Sequence, residues 1–156
     1  MLSEATKDVV RACRAHSHDA RASMLDCLRA VQDAKGWVSD EDLREIADII
    51  GVSTAELEDL ATFYSLIFRQ PVGDRLILWC DGVACYLNGG ERVRDALETA
   101  LGIRLGETTP DGKTTLINIC CIGACDRAPA ALRGKERRLV GPIDPDNLSP
   151  LLEDGG

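Results

Sequence analysis

Two short apolar runs in this chain each lead into a pair of cysteines. Leu76-Ile77-Leu78-Trp79 runs into Cys80, and Cys85 follows across Asp81-Gly82-Val83-Ala84. Thr114-Thr115-Leu116-Ile117-Asn118-Ile119 runs into Cys120-Cys121, and Cys125 follows across Ile122-Gly123-Ala124. Runs of this length and composition read as buried strands. If the two strands are neighbours in one sheet, their carboxyl ends lie side by side and the sulfurs of Cys80, Cys85, Cys121 and Cys125 converge on one small volume. Few folds meet that condition.

Four thiolates suit an iron-sulfur cluster or a zinc ion. Zinc tolerates spacers of this length, although structural zinc sites more often use tighter knuckles. Gly82 and Gly123 recur in the two loops, where they let backbone N–H groups approach closely and donate to sulfur. A catalytic disulfide fits poorly because no Cys-x-x-Cys is present. A thiol hydrolase would need a nearby base, and the only histidines, His16 and His18, fall in the helical N-terminal part and are expected to face solvent. Cys13 and Cys27, on expected helices, read as core packing, as does Cys120 beside Cys121. Neither a Gly-x-Gly-x-x-Gly after a strand nor a Walker-type Gly-Lys-Ser/Thr occurs, so the redox substrate is expected to bind elsewhere.

The remaining pattern organises the chain around that motif. Up to about residue 70 the apolar positions recur at helical spacing, as in Met24, Leu25, Leu28 and Val31 and again in Leu43, Ile46, Ala47 and Ile50. Ser39 before an acidic turn starts one helix and Gly51 stops it, and Ser53 with Glu56 forms a capping box for the next. Pro71-Val72-Gly73-Asp74 breaks the pattern, giving a helical bundle over 1–72 and a second domain over 73–156. A helix over Gly90 to Leu101 separates the two strands. Short strands near 130–132 and 138–140 and a last helix from about Pro145 to Leu152 complete an α+β fold with a small mixed sheet.

The formal net charge of -8 argues against nucleic acid or an anionic membrane surface as partner and leaves proteins. No apolar run approaches the roughly 20 residues that span a bilayer, and the N-terminus lacks an apolar signal segment, so a cytoplasmic chain without membrane insertion is expected. Seven cysteines in a reducing compartment point to metal ligands before structural disulfides.

From Arg21 to Leu152 the chain resembles the small thioredoxin-like ferredoxin subunit of respiratory NADH:quinone oxidoreductase, complex I. The resemblance is carried by Val31-Gln32, Gly36-Trp37-Val38, Ala61-Thr62-Phe63-Tyr64-Ser65, Phe68-Arg69-Gln70-Pro71-Val72-Gly73 and both cysteine loops, the second continuing through Asp126-Arg127-Ala128-Pro129. It implies a helical N-terminal part, a thioredoxin-like domain, and one 2Fe-2S cluster on Cys80, Cys85, Cys121 and Cys125, with Cys120 a nonligand. It also implies a partner flavoprotein that carries FMN and the NADH site and exchanges single electrons with the cluster. Asp81 and Asp126 would lower the cluster's potential if they face it. The Ala61 to Arg69 segment would either dock the partner or pack within the chain. Arg133-Gly134-Lys135-Glu136-Arg137-Arg138 departs from the family in being basic, and reads as a solvated hairpin or a changed partner contact. Related subunits serve NAD-dependent formate dehydrogenases and hydrogenases; the Cys-Cys doublet, the Gln-Pro-Val-Gly linker and Asn88-Gly89 favour complex I. A zinc-stabilised structural subunit is the reading of another class.

Overall fold

The computed structural model describes residues 1–153. The backbone forms two compact units that meet in sequence between Pro71 and Val72.

The first unit holds four helices: α1 (Glu4–His16), α2 (Ala20–Lys35), α3 (Asp40–Ile50) and α4 (Thr54–Phe63). Their apolar stripes meet in one core that includes Val10, Cys27, Leu28, Val31, Leu43, Ile46 and Leu57. The boundaries are chemical. Ser39 and Ser53 each cap a helix through reciprocal side-chain and backbone hydrogen bonds with Asp42 and Glu56, while Gly36 and Gly51 close α2 and α3 in the left-handed conformation. Asp42 is fully buried, yet its carboxylate has a complete set of donors: Lys35 Nζ at 2.7 and 2.6 Å, Ser39 N at 2.9 Å and Ser39 Oγ at 2.7 Å. After α4 the chain is held by Gln32, whose Nε2 donates to the Leu66 carbonyl and whose Oε1 accepts from Phe68 N. Arg69 binds the Val38 carbonyl, Asp40 and Glu58. Within the Ala61 to Arg69 segment, Phe68 and Arg69 therefore serve packing inside this unit, whereas Phe63 is 80% exposed and stacks edge-on against Tyr64.

The second unit is built on four strands, β1 (Arg75–Cys80), β2 (Thr114–Ile119), β3 (Ala131–Arg133) and β4 (Arg138–Val140), in the spatial order β2-β1-β3-β4. Strand β1 lies between β2, parallel to it, and β3, antiparallel to it, and Leu76 through Cys80 are all buried, as a central strand covered on both faces requires. Two helices, α5 (Val83–Leu87) and α6 (Gly90–Leu101), lie between β1 and β2 in sequence. Val93 and Leu97 of α6 join Ile77, Trp79, Leu116 and Val140 in the core. Gly90 begins α6 with no room for a side chain, since a Cβ there would lie 2.7 Å from the Cys85 carbonyl oxygen and 2.9 Å from the Trp79 ring.

Three details differ from the sequence reading. The stretch after Cys80 is not plain loop but includes α5. The last helix, α7, covers only Ser149–Leu152, because Asp144 and Asn147 accept from the backbone amides of Asp146 and Ser149 and hold the chain in turns where a helix was expected. The basic hairpin is partly consumed by its own unit: Arg133 donates to the carbonyls of Pro150 and Glu153, and Lys135 pairs with Asp74 at 2.9 Å.

Burial alone would oppose ionisation of Asp42, but the bonds from Lys35 and Ser39 outweigh it and hold the carboxyl below its usual pKa. A carboxyl lowered on folding stabilises fully above the ordinary range near about 3.9, and that contribution fades as pH falls through the folded value. Asp42→Asn should therefore cost about 1–3 kcal/mol at pH 7 in urea unfolding followed by circular dichroism. The deficit should narrow below about pH 4; a deficit independent of pH would mean that the charge contributes nothing.

Candidate metal centre

The parallel register of β1 and β2 pairs Cys80 with Ile119, so Cys121 begins its loop two residues beyond the level at which Cys80 ends its strand. Asp81 N donates to the Ile119 carbonyl and extends the ladder by one residue past the strands. The next residue, Gly82, lies directly against the second loop. A Cβ added there would sit 3.0 Å from Cys121 Cβ and 3.4 Å from its Sγ. The absence of a side chain at Gly82 is what lets the two loops close on each other.

All four predicted ligands meet in this region, in two environments. Cys80 and Cys85 are 1% and 2% exposed and pack with Ala130 among Ile122, Ala124, Ala128 and Leu139. Cys121 and Cys125 are exposed, with their sulfurs 3.7 Å apart. Thiol contacts run within each pair, and Cys80 also interacts with Cys121. Among the described residues no group of three or more His, Cys, Asp or Glu is arranged to hold a single metal ion. The thiols interact both within each loop and between the loops.

Backbone amides reach the sulfurs from both sides. Burial pushes the Cys85 thiol up to about 11, against a hydrogen bond from the Ala130 amide and reinforced by the Cys80 and Cys125 thiols. The Gly123 amide, followed by the Cys125 thiol, lowers Cys121. Cys125 is raised, chiefly by Cys121 and in smaller part by Cys80 and Asp126. Gly123 has a positive φ of 80°, a left-handed conformation that glycine adopts without the strain of a side chain. These amides favour sulfur that carries negative charge, as a thiolate ligand does.

The other cysteines separate from the site. Cys27 is fully buried in the helical core, and Cys13 is half-buried beside it, as expected. Cys120 is exposed, contrary to the core role expected of it. Its place directly after an apolar run suggests burial, but β2 ends at Ile119 and Cys120 already belongs to the turn. Both histidines are exposed, and His16 hydrogen-bonds the Ala12 carbonyl one turn earlier. The part played by the Ala130 amide is invisible in the sequence, because a backbone donor 45 residues from Cys85 leaves no compositional trace.

The family model described as thioredoxin-like [2Fe-2S] ferredoxin matches residues 10–155. An NADH-quinone oxidoreductase subunit of Pseudomonas aeruginosa is 40% identical over 153 residues, covering 98% of this chain and 91% of that protein. The corresponding NADH-quinone oxidoreductase subunit of Escherichia coli K12 is also 40% identical, over 97% of this chain and 90% of its own length. Among solved structures, the NAD+-reducing [NiFe]-hydrogenase in the air-oxidised state matches with a TM-score of 0.66 and 26% identity, over 81% of this chain and 22% of the hydrogenase chain.

The difference between the two pairs is measurable on the reduced, metal-free chain. Iodoacetamide at pH 8 should modify Cys121 well ahead of Cys85 and Cys27, since Cys121 is exposed with a lowered pKa and the other two are buried with values near 11. Peptide mass spectrometry over a time course reads the order. Equal rates at Cys85 and Cys121 would contradict this packing.

Proposed function

The chain belongs to the thioredoxin-like [2Fe-2S] ferredoxin family, and on that premise we propose that Cys80, Cys85, Cys121 and Cys125 hold one 2Fe-2S cluster in an electron-carrying subunit of an NADH-quinone oxidoreductase. The observation that carries the reading is the juxtaposition of two cysteine loops at the ends of adjacent parallel strands, with Gly82 against Cys121. One sulfur pair per loop is the division a two-iron centre asks for, each pair serving one iron. Assigning the cluster to 73–156 and a helical supporting role to 1–72 is part of the same proposal.

A 2Fe-2S cluster takes and returns one electron at a time. The chain's own residues would set how readily it does so. The amides of Gly123 and Ala130 donate to sulfur and favour the more negative, reduced state. The apolar bed around Cys80, Cys85 and Ala130 opposes that charge by lowering the local dielectric. Asp126, exposed beside Cys125, opposes it as well. Hydride chemistry needs a two-electron acceptor, which we assign to an FMN- and NADH-binding flavoprotein subunit of the same complex. The chain itself would carry no substrate site. Among its described residues no helix is long and apolar enough to cross a membrane, so attachment to a membrane-bound complex, on its cytoplasmic side, would run through other subunits.

The second reading is the equivalent subunit of an NAD-linked hydrogenase, favoured by the hydrogenase structure to which the chain is similar. Coverage near the full length of the curated NADH-quinone oxidoreductase relatives, at higher identity, supports the first.

Purified anaerobically, the chain should be brown and contain about two irons. It should give an S = 1/2 paramagnetic signal after dithionite, and Cys80→Ser or Cys125→Ser should abolish or alter that signal. A colourless chain with one zinc would establish the structural reading instead. Asp126→Asn should raise the midpoint potential by on the order of a few tens of millivolts in a redox titration. No change would mean that solvent fully screens this carboxylate.

A further inference from the structure

The helical unit holds a second pair of thiols, in which the cysteine loops take no part. Helices α1 and α2 are joined by Ser17, His18 and Asp19 alone, so they run antiparallel as a hairpin. Cys27 of α2 is fully buried, and its Sγ donates to the Val10 carbonyl of α1 at 3.7 Å. Cys13 follows Val10 by three residues, which sets it on the same face of α1, one turn nearer the connection. Side chains on a helix lean toward its N-terminus. In this antiparallel pair Cys13 therefore leans back toward the level of Val10, while Cys27 leans toward the connection, and the two sulfurs approach from opposite helices. Cys13 packs against the core that contains Cys27. Burial, and after it Cys13, push the Cys27 thiol up to about 11, so the two groups sense each other. Packing explains a small apolar side chain at each position. Facing sulfurs add a chemistry that packing does not need.

We propose that Cys13 and Cys27 form a reversible two-electron redox site, oxidised to a disulfide between α1 and α2 by a small-molecule disulfide of the glutathione class. Both are free thiols, and their exposures assign their roles: Cys13 is half-buried and meets an oxidant from solvent first, whereas Cys27 is enclosed and resolves. The Cys13 thiolate attacks one sulfur of the oxidant, a bond from Cys13 to glutathione forms, the oxidant's S–S bond breaks, and one glutathione leaves with the Cys13 proton. The Cys27 sulfur then attacks Cys13, and the second glutathione leaves with the Cys27 proton. The pair loses two electrons and two protons, and one glutathione disulfide becomes two glutathiones. The inference is independent of the cluster reading, because this pair lies in the unit over Met1–Pro71 and the four assigned ligands lie in the unit over Val72–Gly156.

The test uses the full chain with Cys120→Ser, which removes the one other thiol outside the four assigned ligands. The chain is equilibrated anaerobically over a series of glutathione to glutathione disulfide ratios, quenched in acid and alkylated. Tryptic peptide mass spectrometry without reduction assigns each bond by residue, so the result reads the same with or without a cluster. The Cys13 and Cys27 peptides should appear joined, with helical circular dichroism unchanged, and dithiothreitol should release them. Joined peptides should exceed the mixed disulfide of Cys13 with glutathione by roughly tenfold or more. Cys27→Ser should reverse that ratio by trapping glutathione on Cys13, and Cys13→Ser should leave Cys27 unmodified. The ratio in the parent chain decides the matter even where a serine variant does not fold. A folded chain that gathers glutathione on Cys13 without joining Cys27 overturns the proposal, because the sulfurs then do not reach each other. So does a chain in which both thiols stay reduced at every ratio, or one in which the bond forms only in urea.

Discussion

The parallel pairing of β1 with β2 is the constraint on which the site depends. Two cysteine loops far apart in sequence can be made to face each other only if their supporting strands run the same way and end at the same level. Parallel strands need a crossover, and here α5 and α6 occupy it, between Cys80 and Thr114. The crossover is therefore part of the site rather than a connection between its halves. It carries Cys85 on its first helix, and Gly90 lets the second begin directly beneath the Cys85 carbonyl. A residue larger than glycine at 90 would force α6 away from both Trp79 and Cys85. The same close approach recurs at Gly73, where a Cβ would fall 2.3 Å from the Lys113 carbonyl oxygen, and at Gly82 against Cys121. Three glycines thus hold the β1 and β2 segments and their helices at the spacing the sulfurs need.

The helical unit uses a different device. Its buried polar groups are few, and several of its polar side chains tie together segments that apolar packing alone would leave free to slide. Gln32 fixes the chain after α4 by acting as both donor and acceptor to backbone, in the manner of a strand neighbour. Asp42 joins the end of α2 to the start of α3 through Lys35 and Ser39. Arg69 gathers Val38, Asp40 and Glu58. A satisfied buried polar group gives little net stability but penalises alternatives that leave it unpaired. That helps to explain why the family resemblance is carried by Gln32 and Arg69 as much as by apolar positions.

Much of this was legible because it depends on local chemistry. Strand runs ending in cysteine, a break at Pro71 to Asp74, caps at Ser39 and Ser53, and helix stops at Gly51 and Gly102 are all written in adjacent residues. What escaped depends on competition or distance. Helix α5 is one turn long and outwardly apolar, so periodicity gives no amphipathic signal in the expected sense. The expected last helix lost its first turns to Asp144 and Asn147, whose side chains offer the backbone an alternative. The exposure of Cys120 escapes because the side to which a residue points is undefined once a strand ends. The Ala61 to Arg69 segment could not be apportioned from sequence: aromatic residues suit both cores and interfaces, and the structure places Phe68 inside and Phe63 outside.

The uneven burial of the four thiols follows from where each sits on its element. Cys80 is the last residue of a central strand, covered on both faces, and Cys85 lies on the inner side of a helix that packs back on that strand's end. Cys121 and Cys125 flank a loop that leaves the edge strand β2, with no further strand beyond it among the described residues to cover them. The fold therefore hides one pair and presents the other. In the proposed role these are complementary duties. A fully buried centre would be isolated from a partner's redox group, because electron transfer weakens steeply with distance. A fully exposed one would have its charge screened by water and its potential set by solvent rather than by protein. Placing one pair in the apolar bed with Ala130 and the other at the surface gives a single small site both a protein-defined environment and a route for exchange.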